Sequence, residues 1–125
     1  MLIFKKYEIY NLYIRIKSPI ILRGKSTGSV FDYKNNFFGN TYLYFDLKKG
    51  TSVKYENIIF KNYNPSSQQR VGIVTVISHS DDFHLQFYNC TFINVIDNNL
   101  VVNINPSNIY PIEKPQILYD KCNFL

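Results

Sequence analysis

The chain contains no alanine and no tryptophan, one methionine and two cysteines among its 125 residues. Without alanine the strongest helix former is missing. In its place stand 16 Ile, 15 Asn, 11 Tyr and 10 Phe, and β-branched and aromatic side chains suit a pleated, half-buried surface. The composition therefore argues against a helical bundle and for an all-β fold. Two cysteines are too few for a disulfide framework. No stretch approaches the roughly 20 consecutive apolar residues of a membrane-spanning helix, so no transmembrane segment is expected. Residues Met1-Leu2-Ile3-Phe4-Lys5-Lys6 place their charges after the apolar residues and lack a long apolar region, which does not read as a signal peptide. A secreted protein of this sequence would carry its signal outside this chain. The length allows one domain, residues 1–125, with a single modest core.

Acidic residues are scarce in the first half. Residues 1–61 hold 11 Lys/Arg against 4 Asp/Glu, whereas residues 62–125 hold 3 against 5. A basic half can attract nucleic acid, anionic lipid or acidic polysaccharide. The bases are scattered, with no run longer than Lys5-Lys6 and Lys48-Lys49, and a solvated face accounts for them equally well. Nucleic acid therefore ranks behind polysaccharide as an expected partner.

What the chain does have is a repeat. Residues 53–62 read VKYENIIFKN, residues 85–94 read LQFYNCTFIN, and residues 117–125 read ILYDKCNFL, each copy thirty-two residues after the last. An aromatic (Tyr55, Phe87, Tyr119) is followed three positions on by Ile58, Cys90 or Cys122, and two further on by Phe60, Phe92 or Phe124. Asn57 and Asn89 fall between the two apolar pairs, and Asn62 and Asn94 close them. Fixed self-similarity at this period marks a solenoid, in which each repeat buries its apolar face against its neighbours. Around the motif, strands are expected over 13–17, 20–22, 29–33, 41–46, 72–77 and 100–104. Turns are expected at 24–28, 48–51, 78–82 and 97–99, and outer loops at 63–70 and around Pro106, Pro111 and Pro115. Residues 1–40 read as an irregular first coil and 41–125 as regular ones, three to four coils in all. A β-sandwich would also turn this often, but it does not explain why aromatic, Asn and Phe recur together.

Three strands per repeat with parallel stacking describe a right-handed parallel β-helix, a single-stranded solenoid. PIILRGKSTGSVFDY (19–33) resembles the opening coil of pectate-lyase-like β-helix proteins, the pectin-lyase fold, and the motif copies resemble their later coils. The resemblance implies a structural ladder of stacked Asn57 and Asn89 side chains at the bend, hydrogen-bonded along the helix axis. Lys121 stands at that position in the third copy, so the ladder is expected to end there. Ile58, Cys90 and Cys122 would stack in the core, as would Phe60, Phe92 and Phe124. Neighbouring coils lie about 4.8 Å apart, within the Cα range of a disulfide. A bridge between Cys90 and Cys122 is thus open in an oxidising compartment, and free apolar thiols are the expected state. Asn89-Cys90-Thr91 is a glycosylation sequon, but a ladder residue would be sequestered from modification.

Candidate chemistry is thin. Ser78-His79-Ser80-Asp81-Asp82-Phe83-His84 is the one dense polar cluster, and Asp81, Asp82 and His84 are the catalytic candidates. Their Asp pair resembles that of β-helix polysaccharide hydrolases. However, no Asn-Thr-Asp tripeptide precedes it, no Gly precedes the pair and none follows His84. Arg15-Ile16-Lys17 matches an Arg-x-Lys element of those enzymes at the wrong end of the chain. Calcium-dependent relatives need several acids on one face. Here Glu56 and Asp120 share a repeat position with Tyr88 between them, about 10 Å apart and too far to hold one ion. No metal or other cofactor is expected. Tyr88, Tyr63 and Tyr110 are the expected outward aromatics, which can hold sugar rings or bases.

The expected function is a non-catalytic extracellular or cell-surface module, structural or adhesive, with carbohydrate as its candidate ligand. A fragment of a polysaccharide lyase or hydrolase is the alternative, and binding of a polyanion or nucleic acid through the basic half is a third. The last residues, Phe124-Leu125, lie inside a motif without a polar cap. The expectation is that the chain is part of a longer protein or that another chain covers that end.

Overall fold

The computed structural model of the protein describes residues 12–35, 41–45, 51–64, 72–96, 100–108 and 113–125. The first coil comprises β1 (Leu12–Ile16), β2 (Ile20–Arg23) and β3 (Ser29–Asp32), and the second β4 (Thr41–Phe45), β5 (Thr51–Glu56) and β6 (Ile58–Tyr63). The third comprises β7 (Val74–Ser80), β8 (Phe83–Tyr88) and β9 (Thr91–Val95), and the fourth β10 (Leu100–Asn108), β11 (Ile117–Asp120) and β12 (Asn123–Phe124). Each strand pairs in parallel with the strand three places along the chain. The result is three sheets, β1-β4-β7-β10, β2-β5-β8-β11 and β3-β6-β9-β12. Three parallel sheets wound coil upon coil form a parallel β-helix, as the repeat implied.

The bend between the second and third sheets explains the repeated asparagines. Asn57, Asn89 and Lys121 hold φ of 56°, 50° and 54°, the left-handed region. One left-handed residue turns the chain sharply enough for β5 to end at Glu56 and β6 to begin at Ile58. Asn tolerates this conformation better than other side chains with a Cβ. The bend's N–H groups donate to the next coil, Asn57 to the Tyr88 carbonyl at 3.1 Å and Asn89 to that of Asp120 at 2.9 Å. The Asn89 amide donates to the Asn57 side-chain oxygen at 2.7 Å, which is the expected ladder. A second ladder runs beside it. Asn94 donates to the Asn62 amide oxygen at 3.4 Å, and Asn62 donates to the Asp32 carboxylate at 2.9 Å. That bond, with the Lys34 backbone N–H, holds the Asp32 carboxyl below its ordinary range.

The first coil pairs strand for strand with the second but does not keep the thirty-two-residue period. Ile20 pairs with Val53, an offset of 33, whereas Ser29 pairs with Ile58, an offset of 29. The slip lies in residues 24–28, which fill the place of Asn57 alone. Gly28 takes φ of 90° there, and a Cβ on Gly24 would collide with the Asn57 carbonyl oxygen. Glycine is required at the second of these by close approach rather than by φ.

Inside, two aromatic columns interlock. Tyr55, Phe87 and Tyr119 stack with centroids 5.2 and 4.9 Å apart and planes within 9°. Phe31, Phe60, Phe92 and Phe124 form the second column, at 5.8, 5.1 and 4.9 Å. Rings of one column meet the other edge-on, as Phe87 meets Phe92 at 5.6 Å and 69°. Each such pair adds about 0.5–1.5 kcal/mol beyond burial. Cys90 is buried and Cys122 half-buried, and both are free thiols. They donate to carbonyls of the preceding coil, Cys90 to Tyr55 at 3.6 Å and Cys122 to Phe87 at 3.3 Å.

Three expectations need correction, and the first is the loop expected around Pro106, where β10 instead runs from Leu100 to Asn108. The turn expected over 78–82 is shorter, because β7 runs on to Ser80 and leaves only Asp81 and Asp82 between strands. Ser78 and Ser80 lie buried and bond each other locally, the Ser78 hydroxyl donating to the Ser80 carbonyl, so these polar residues continue the strand's inward face. Tyr63, expected to face outward, is 1% exposed. Simple alternation from Phe60 would put Asn62 inside and Tyr63 outside. The left-handed backbone at Asn62 (φ 56°) reverses that phase and turns Tyr63 into the core, edge-on to Tyr33 at 5.2 Å. Tyr110 lies outside the described residues.

Candidate functional site

The outward face of the second sheet gathers His84 and Tyr88, two of the residues singled out from the sequence, onto one strand. On β5 and β8 burial alternates strictly, so Val53, Tyr55, Leu85 and Phe87 face the core and Ser52, Lys54, Glu56, His84, Gln86 and Tyr88 face out. Register then builds a grid. Ile21, Lys54, Gln86 and Leu118 form one row across the four coils, and Arg23, Glu56, Tyr88 and Asp120 the next. Ser52 and His84 begin a third. Rungs in each row are spaced at about 4.8 Å.

The grid is held by its own charges. Glu56 lies 3.3 Å from Arg23 and 3.5 Å from Lys54. The Lys54 ammonium sits 4.4 Å from the centroid of the Tyr88 ring. Lys121, at the neighbouring bend, donates to the Tyr88 hydroxyl at 3.3 Å, and that bond raises its own pKa. Tyr88 is thus held by two ammonium groups, the second of them, Lys121, lying 5.3 Å from the same ring centroid. At the other end of the rows a hollow of about 300 Å³ opens against Pro19, Ile21, Ser52, Lys54, His84 and Gln86.

The expected catalytic trio comes together only in part. His84 Nε2 lies 3.5 Å from the Asp82 carboxylate. His84 Nδ1 lies 3.0 Å from the Pro115 carbonyl, and that oxygen only accepts, so this nitrogen carries the proton of the bond. Gln116 donates to the Asp81 backbone carbonyl. These contacts fasten the segment ahead of β11 to the β7–β8 turn, joining the third coil to the fourth. Among the described residues no three His, Cys, Asp or Glu side chains gather as a metal ion would require.

The sequence alone did not mark Lys54, Gln86 or Lys121 as residues of a binding face. The signal was present for the first two, since Lys54 and Gln86 are one thirty-two-residue repeat apart and each lies two residues before Glu56 or Tyr88. Lys121 had no such signal, because its contact crosses from a bend to the preceding coil. No known protein family, curated protein or solved structure matches the chain.

Proposed function

We propose that this protein is a saccharide-binding β-helix module with a structural or adhesive role, holding a sugar chain along the outward rows of its second sheet. The observation that carries the reading is the Lys54, Gln86 and Tyr88 grid. Hydrogen-bonding side chains stand there in register, and the contacts of Lys54 and Lys121 with Tyr88 restrict their motion before any ligand arrives. Such preorganisation reduces the ordering cost of binding. A sugar ring offers hydroxyls to Gln86, Lys54 and the Tyr88 hydroxyl, and apolar ring faces to Ile21 and Leu118, which are 57% and 41% exposed. The contacts of Asp81, Asp82 and His84 support a role in joining coils. An extracellular or cell-surface location and kinship with the pectate-lyase-like proteins belong to the same proposal, the kinship supported by the stacked asparagines at the bend.

Native affinity electrophoresis through gels containing polygalacturonate, xylan or β-glucan tests this reading. Retardation in at least one gel, lost in Lys54→Ala/Gln86→Ala and kept in Asp81→Asn/Asp82→Asn, is the expected result. A cleared zone in the stained gel that vanishes in the Asp81→Asn/Asp82→Asn variant would instead make the protein a polysaccharide-cleaving enzyme.

A further inference from the structure

The outward face of the first sheet differs in character from that of the second. On β1 the residues Tyr13 and Arg15 face outward, with Lys17 just beyond the strand end, while Ile16 is buried. Tyr13 is 71% exposed, and Arg15 and Lys17 are exposed. Successive outward positions on a strand lie about 6.7 Å apart, so aromatic, guanidinium and ammonium follow one another in a line. Tyr44 of β4 pairs with Arg15, and the Arg15 guanidinium lies 5.9 Å from the centroid of its ring. From the other side the Tyr44 hydroxyl and His79 Nε2 are 2.8 Å apart, with the two rings edge-on at 67°. His79 therefore steadies Tyr44, and Tyr44 in turn gives the planar guanidinium a surface to lie on. A guanidinium held this way presents its fork of donors in one orientation, which suits a phosphate better than a mobile lysine does.

Charge separates the two faces. The second sheet alternates Arg23 and Lys54 with Glu56 and Asp120. The outward residues described on the first sheet include Tyr13, Arg15, Tyr44, Ile77, His79 and Val101, and none of these is a carboxylate. A face with cations, an exposed aromatic ring and no described carboxylate matches a polymer that carries both a negative backbone and flat π-systems.

We infer that the outward face of the first sheet binds single-stranded nucleic acid, with Tyr13 stacking a base and Arg15 and Lys17 engaging successive phosphates. Stacking on an aromatic ring is tolerant of sequence because every base has a π-face, and phosphate contacts read no sequence at all. The binding is therefore sequence-independent and sensitive to salt. Two phosphate contacts on a single strand predict a log–log salt slope of about −1.4, from about −0.7 per phosphate. This site is independent of the second-sheet reading and stands or falls without it.

Fluorescence anisotropy with a labelled oligothymidylate of about 15 nucleotides, within the range of single-strand site sizes, provides the test. The expected result is saturable binding that weakens about 5- to 10-fold in Tyr13→Ala, the lower end for a stacked base, and is retained in Tyr13→Phe. Arg15→Ala should weaken binding and reduce the salt slope by about 0.7. Lys54→Ala/Gln86→Ala, on the other face, should bind as the parent does. Circular dichroism of each variant confirms that the fold is kept. Absence of binding at low salt would overturn the inference. So would binding indifferent to both Tyr13→Ala and Arg15→Ala, or equal affinity for polyglutamate, which would reduce the effect to bulk charge.

Discussion

Asn89 carries two duties, and they can be separated. Its backbone is left-handed, and its amide bonds Asn57 in the coil before. Asn89→Ala removes the bond and keeps a Cβ at positive φ, so a loss of about 2 kcal/mol is expected. Asn89→Gly relieves the backbone and should recover about half of that loss, read from urea unfolding midpoints. Lys121 occupies the same bend without an amide, and Lys121→Asn should extend the ladder and stabilise by about 0.5–1 kcal/mol. Equal losses for Ala and Gly at position 89 would show that the ladder bond alone matters. The bend ladder was legible in the sequence because one residue type recurs at one phase of the repeat. Tyr63 was not legible, because its inward turn depends on a backbone angle at Asn62 that alternation does not encode. The second ladder was half-visible: Asn62 and Asn94 recur, but the Asp32 that anchors them lies across the first coil's slipped register.

At the scale of a strand and its neighbours, position along a column decides how much a ring contributes. Phe92 stacks on both Phe60 and Phe124 and is 2% exposed, whereas Phe124 stacks on Phe92 and is 55% exposed. Phe92→Ala should cost about 3–5 kcal/mol, and Phe124→Ala less than about 1.5 kcal/mol, the scale of one ring pair. Thermal unfolding of the two variants side by side measures the difference. The thiol column makes a second prediction. Burial pushes the Cys90 thiol from 9.0 up to about 11, and burial pushes the Tyr119 phenol up to about 12. A thiol whose pKa is raised in the folded protein holds its proton longer there than in the unfolded chain. Its contribution to stability is complete below about pH 9 and is lost as pH rises from 9 towards 11. Urea midpoints should therefore be level up to about pH 9 and fall above it, and Cys90→Ser should flatten part of that fall. The same burial predicts that Cys90 reacts with a thiol reagent at pH 8 only after denaturation. These columns were readable from the spacing of aromatics and cysteines. The extent of β7 was not, because Ser78 and Ser80 read as turn residues until their local bonds are seen.

Over the whole molecule, winding three strands per coil converts a linear repeat into three flat faces of different character. Residues far apart in sequence, such as Lys54 and Lys121, meet at Tyr88 only because the coils stack in register. That is why the fold was largely legible in one sequence and the candidate binding faces were not. Periodicity reports which residues share a column, whereas a binding face is built from neighbouring columns and from bends that reach across coils. The central claim is that the second sheet's rows hold a saccharide, and hydroxyl-radical footprinting on whichever glycan retards the protein in gels tests it most directly. The glycan should lower oxidation of His84, Tyr88 and Leu118 while Tyr13 and His79 remain as reactive as in the free protein. Protection of Tyr13 and His79 with Tyr88 and Leu118 unchanged would contradict it and move the saccharide to the first sheet.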